Sequence, residues 1–177
     1  MSADPCLRDA TPADAGAIAA IYNETIAVRD ATMVDEPQSG DGIRAQMAGH
    51  SEREGYLLLE RDEEIIGWGV IKHFGEGDAY RFTGETSVFL RRDQVRKGYG
   101  TVLKRALIKR CRAHGYHHLV ARVWATNEAS IAYNQQFGYE VVGIQREIGH
   151  MNGRWQDVAL MQLLLNGDRS TPDAHVA

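Results

Sequence analysis

The sequence predicts a mixed α/β fold. Short runs of β-branched and apolar residues alternate with runs of helical period, and strand pairs joined by tight turns bracket the helices. Near the middle, one apolar strand runs into a glycine-bearing turn that opens a long amphipathic helix. The chain has 177 residues, 44% hydrophobic and 25% charged, which suits one domain with a substantial core. That domain is expected over 1–165, followed by a polar tail over 166–177. A net charge of −4 gives no global reason to expect nucleic acid. Cys6 and Cys111 lie far apart with no metal-ligand spacing, so no metal is expected, and a reducing cytoplasm is the natural compartment. No segment has the apolar length of a membrane span, and the first ten residues lack the apolar run of a signal peptide.

The elements follow in order. Leu7 to Ala10 reads as a first strand. Thr11-Pro12-Ala13-Asp14 is a helix start, with a hydroxyl cap and an early Pro. The helix after it carries Ile18, Ile21, Tyr22 and Ile26 on one face. Val28 to Pro37 is turn-rich, and Gln38 to Glu54 holds a weaker second helix. Gly55 to Arg61 and Glu64 to Lys72 form a strand pair, and His73 to Asp78 is a loop. Thr83 to Leu90 is the next strand. The helix from Tyr99 to about His114 puts Tyr99, Val102, Leu103, Ala106, Leu107 and Cys111 on its packed side. Lys104, Arg105, Lys109, Arg110 and Arg112 are left to a solvated cationic face. His117 to Ala125 is a strand, and Asn127 caps a short helix to Phe137. Tyr139 to Ile148 and Arg154 to Leu165 are the last two strands, joined through Met151-Asn152-Gly153.

The turn between the central strand and its helix carries the chemistry. A glycine turn at a helix start leaves backbone N–H groups pointing outward in the positive field of the helix, which suits a phosphate or pyrophosphate. Arg91, Arg92, Arg96 and Lys97 add charge. A Walker loop fails because Thr-Val follows Gly100, and a dinucleotide fingerprint fails at Leu103. On the short helix, Asn127, Ser130 and Asn134 share a small polar face fit to line a ligand.

Two motifs in the right order carry a resemblance. The turn Val95-Arg96-Lys97-Gly98-Tyr99-Gly100 resembles the Q/R-x-x-G-x-G/A pyrophosphate turn of the GNAT acetyltransferases. The segment NEASIAYNQQFGY resembles their N-x-x-A/S-x-x-ϕ-Y-x-x-x-G-F/Y helix. Within that superfamily, AYRFTGETSVFL and GRWQDVALMQLLL look like the phosphinothricin and methionine sulfone/sulfoximine N-acetyltransferases, a likeness that spans Leu7 to Leu165.

The resemblance implies a GNAT fold, a twisted mixed sheet of about seven strands flanked by about four helices. It implies acetyl-CoA as co-substrate, a small amino-acid-like amine as acceptor, direct transfer in a ternary complex and a homodimer. By it, Glu85 is the catalytic base. Val88, Phe89 and Leu90 flank the pantetheine, Val95, Arg96, Lys97, Gly98, Tyr99, Gly100 and Thr101 hold the pyrophosphate, Asn127 bonds the pantetheine, Asn134 sits near the thiol end, and Ser130 shares their cofactor-binding face. Phe74, Tyr80, Arg81 and Trp155 are candidates for the substrate pocket. The chain departs from the pattern in three places. Val95 stands at the usual Gln or Arg. Gly77 stands where an Arg grips an anionic substrate. Asn134 stands where a Tyr acid is usual, with Tyr133 turned about 100° toward the core. Asn134 can donate a hydrogen bond to sulfur but not a proton. Acetylation of a protein N-terminus or lysine, and a CoA-binding module without catalysis, stay open as alternatives.

Overall fold

The structure is a computed structural model that describes residues 4–165, so the tail expected over 166–177 lies outside the described residues. In chain order the elements are β1 (Cys6–Asp9), α1 (Ala15–Val28), α2 (Gly40–Ala48), β2 (Gly55–Arg61), β3 (Glu64–His73), β4 (Thr83–Leu90), α3 (Tyr99–Ala113), β5 (His118–Trp124), α4 (Glu128–Gln135), β6 (Glu140–Met151) and β7 (Arg154–Leu164). They build one seven-stranded sheet in the order β1-β2-β3-β4-β5-β7-β6. Only β4 and β5 pair in parallel, and α3 is the crossover between them, as a parallel pair requires.

Each sheet face buries its own core. On one face α1 and α2 cover Tyr56, Leu58, Trp68 and Val70 with Ile18, Ile21 and Ile43. On the other, α3 lays Leu103, Leu107, Ile108 and Cys111 on Leu57, Leu59, Ile71 and Leu119, with Ile131 and Phe137 at its flank. The alternation along β3 explains the close seating of α3. Trp68 and Val70 point to α1, while Gly67 and Gly69 point to α3. A Cβ on Gly69 would stand 2.5 Å from Leu107 Cδ1, so only glycine admits the helix at this depth.

Local chemistry sets the boundaries. Before α1, Asp14 reaches back to the Thr11 N–H at 2.7 Å and the Thr11 hydroxyl donates to the same oxygen at 2.9 Å. Thr11 holds the N-cap position, and Asp14 reaches back to it. The second helix is shorter than predicted, because Ser39 caps it by accepting from Gly42 N at 3.0 Å and Gly49 closes it. The last hairpin turns through Asn152 and Gly153 with φ of 54° and 70°, the left-handed pair such two-residue loops need.

The face assignment of α3 needs correction. Lys104 and Ile108 lie on the buried side, and Val102 is 36% exposed. The core stripe runs 103, 104, 107, 108, 111, and Lys104, bonded to Thr86 of β4, is only 2% exposed.

Candidate active site

Strands β4 and β5 pair only from Thr83–His118 to Glu85–Val120. Beyond that point β4 stays with β3 as far as Leu90, and β5 stays with β7 as far as Trp124. The two strands splay, leaving facing backbone edges at the centre of the sheet. Backbone polar groups there need partners, and an extended ligand can supply them as an inserted strand would. The gap is the inner part of a cleft of about 930 Å³.

At the outer end lies the glycine turn. Gly98 (φ 88°) and Arg96 (φ 61°) are left-handed, which folds the chain into a concave nest before α3. Among the described residues, none of the N–H groups from Val95 to Gly100 donates within the chain. The turn therefore offers these N–H groups to the outside. Of its cations, Arg91 is taken by Glu64 (2.6 Å) and Asp93 (3.1 Å), and Arg92 pairs with Asp30 (3.4 Å). Arg96 lines the cleft, as do Val88, Phe89, Leu90, Val95, Gly98, Gly100 and Thr101. Lys97 and Tyr99 do not. The Lys97 amine reaches Gln94 at 3.2 Å, and Tyr99 packs on the α3 core with its hydroxyl held by Arg61.

The short helix α4 forms the opposite wall, and Asn127, Ser130 and Asn134 all line the cleft. Asn127 is already engaged, accepting from Ser130 N and donating to the Asp30 carbonyl, both at 2.9 Å. Asn134 donates from Nδ2 to the Ser130 carbonyl at 2.8 Å, and its buried Oδ1 has no protein partner. Tyr133 is half-buried and not fully in the core. Its hydroxyl donates to the Gly100 carbonyl at 2.7 Å, tying α4 to the turn and committing its proton.

Glu85 stands where pairing ends, on the α1 face of the sheet. Arg122 holds it with two hydrogen bonds of 3.0 and 2.9 Å. Sequence reasoning missed Arg122. Its signal was register: Glu85 lies opposite Val120, so Arg122, two residues on, shares its face diagonally. The α1 side of the cleft is walled by Tyr22, Trp68 and Phe89, with Phe89 centred 4.5 Å from Trp68 and 4.8 Å from Tyr22. The turn-rich stretch after α1 closes this side. Thr32 bonds the Tyr22 hydroxyl at 2.9 Å, and its carbonyl accepts from Trp124 Nε1 at 3.0 Å.

The four residues expected at the substrate pocket do not line this cleft. Phe74 and Tyr80 pack on each other at 5.7 Å in the β3–β4 connection. Arg81 folds onto Phe82 and bonds the Asp78 carbonyl, and Trp155 meets His150 edge-on at 5.0 Å on the last hairpin. Aromatic character in a loop did not mark the wall, because the wall comes from alternate positions of strands and helix that meet only in the fold. Among the described residues no three His, Cys, Asp or Glu side chains gather as a metal site, and no helix is long and apolar enough to cross a membrane.

Comparison with known proteins agrees with this geometry. The family model for the acetyltransferase (GNAT) domain matches residues 7–160. The L-methionine sulfoximine/L-methionine sulfone acetyltransferase of Pseudomonas paraeruginosa is 36% identical over 169 residues, 94% of this chain and 98% of that protein. Phosphinothricin N-acetyltransferase of Alcaligenes faecalis is 34% identical over 163 residues, 90% of this chain and 83% of that protein. A phosphinothricin acetyltransferase from Sinorhizobium meliloti, solved in complex with acetyl-CoA, superposes with a TM-score of 0.90 at 30% identity, covering 97% of this chain and 94% of that one.

Proposed function

The chain belongs to the GNAT acetyltransferases, and we propose that it moves an acetyl group from acetyl-CoA directly to the amine of a small amino-acid-like substrate of the methionine sulfoximine or phosphinothricin kind. One observation carries this reading. A single cleft joins a cradle of free N–H groups at the start of α3 to a carboxylate where β4 and β5 part. The cradle takes the pyrophosphate, and the exposed edges of 86–90 and 121–124 take the pantetheine arm. Acetyl-CoA supplies the activated acyl group.

Glu85 is the base in this proposal. A free α-amino group has a pKa of about 8, and only its neutral form attacks a carbonyl. Glu85 accepts the proton released as the C–N bond forms, directly or through one water. A backbone N–H of Val88 or Leu90 holds the developing oxyanion. Neither cysteine serves as an acyl carrier. Cys6 is exposed near Glu60, and Cys111 is buried in the α3 core, where burial pushes its thiol up to about 12.

Arg122 supplies the cation that Gly77 does not. It is about half exposed beside Glu85, so a substrate carboxylate can take over its guanidinium and leave Glu85 unpaired for proton transfer. A homodimer is supported by the outer hairpin, where Val142 (53%), Ile144 (48%), Ile148 (54%) and Trp155 (64%) expose apolar surface. Sedimentation of the purified protein tests this, and a monomer at micromolar concentration would remove it. With no membrane-crossing helix among the described residues, the cytoplasm is the proposed compartment.

The function is tested by release of free CoA thiol with a panel of amino acids, short peptides and Glu85→Gln. Saturable turnover with a small amino acid is expected. Glu85→Gln should lower it roughly 10²-fold or more without changing acetyl-CoA affinity. Turnover with peptides alone would replace the small-molecule acceptor, and acetyl-CoA binding without turnover would leave only a binding module.

A further inference from the structure

Lys104 is a buried amine at the inner end of the cleft. It sits in the second turn of α3, 2% exposed, and lines the gap between β4 and β5. Its Nζ donates to Thr86 Oγ1 at 3.1 Å and lies 4.3 Å from the centre of the Tyr139 ring. Thr86 in turn shares a hydrogen bond of 3.0 Å with the Tyr139 hydroxyl. Thr86 is the first residue of β4 beyond the paired segment, which puts the amine at the apex of the splay. Leu90 to Thr86 spans about 13 Å of extended strand, so an arm anchored at the turn and laid along β4 brings its reactive end to this amine.

Among the described residues, the surroundings of Lys104 hold no carboxylate. From its own helix Cys111 faces it, and from the segment before β6 Tyr139 does. From β4 Thr86 faces it, while β5 offers Ala121 and Val123. Glu85 and Arg122 stand on the opposite face of the sheet. Burial drives the amine down to about 7, with Cys111 opposing slightly, so both protonation states are populated near neutral pH.

We propose that Lys104 is the proton donor to the thiolate that departs when the thioester is cleaved. The inference rests on the reading of the cleft as the acetyl-CoA site. It answers a gap on α4, where Asn134 presents Oδ1, an acceptor that cannot protonate sulfur, and Tyr133 has committed its hydroxyl to Gly100. In the step, the substrate nitrogen forms the C–N bond and its proton passes to Glu85. The C–S bond breaks with its electron pair on sulfur, and Lys104 Nζ gives one proton to that sulfur. The products are amide and free thiol. Proton exchange with solvent then returns Lys104 to its ammonium form and Glu85 to its carboxylate. Thr86 is a positioning residue that holds the ammonium against the gap.

The test compares wild type with Lys104→Met and Thr86→Val. Calorimetry reads acetyl-CoA binding, steady-state kinetics read kcat against pH, and thermal melting reads the fold. In the wild type kcat is expected to fall as pH rises through the titration of Lys104, because the acid form is lost. Lys104→Met should lose roughly 10²-fold in kcat together with that high-pH limb, while acetyl-CoA affinity is kept and the melting temperature rises. Thr86→Val, which removes the acceptor of the ammonium, should move the limb to lower pH, and it decides the matter should Lys104→Met not fold. A Lys104→Met kcat within about threefold of wild type, or an unaltered pH limb in either variant, overturns the role of Lys104 and leaves the cleft assignment standing. Failure of the wild type to bind acetyl-CoA overturns both.

Discussion

Replacing Lys104 by methionine should stabilise this protein. In the unfolded chain the amine titrates near 10.4, and in the fold burial holds it at about 7. Between those values the unfolded state binds the extra proton, so stability rises with pH across the window. The gap is about three pH units at about 1.4 kcal/mol each, a penalty of about 4 kcal/mol at pH 7. From pH 7 to 8.5 the wild type should recover 1 to 2 kcal/mol, by rough integration over that range. Above about pH 9 the trend is opposed, because the unfolded Cys111 thiol ionises while burial keeps the folded one protonated. Methionine has nearly the length of lysine and carries no charge to desolvate. Thr86 keeps its hydrogen bond to Tyr139. The variant should therefore gain a few kcal/mol at pH 7, less up to about 1.5 kcal/mol for imperfect fit, and should show no slope to pH 8.5. Urea unfolding of both proteins at half-unit steps from pH 7 to 8.5 reads both quantities. A variant no more stable than wild type, or one with the same pH slope, would mean that the amine is hydrated or paired in solution.

Two further substitutions separate the ends of the cleft. Gly98→Ala meets no atom within 4 Å but must hold φ at +88°, so it should cost about 1 kcal/mol in urea unfolding. As the N–H cradle turns with it, calorimetry should show acetyl-CoA affinity falling roughly tenfold, and unchanged affinity would move the pyrophosphate elsewhere. Arg122→Ala should raise KM for an amino-acid substrate roughly tenfold while leaving KM for acetyl-CoA alone. The corresponding amine lacking the carboxylate should not distinguish Arg122→Ala from wild type, and an equal rise for both substrates would refute the anchoring role.

The strands and helices were legible because their signals are local. Short apolar and β-branched runs marked β2 to β5, and Asn-Gly and Gly-x-Gly marked turns whose backbone geometry few other residues adopt. The run of free N–H groups from Val95 to Gly100 was legible for the same reason, since a helix start leaves its own N–H groups free whatever packs around it. Glu85 came from a family pattern and not from any property of the strand itself.

Tertiary structure alone decided what faces the cleft. Lys104 lies on a helix whose polar residues mostly meet water, and only its seat against Thr86 and Tyr139 takes this one out of solvent. Arg122 gained its meaning from the register that sets β5 beside β4, and Thr32 from a loop that sequence left without structure. A residue's neighbours along the chain govern its backbone angles, whereas its charge state and access depend on groups brought near it from distant parts of the chain. For that reason the fold and the open turn before α3 could be read from the sequence, and the proton inventory of the cleft could not.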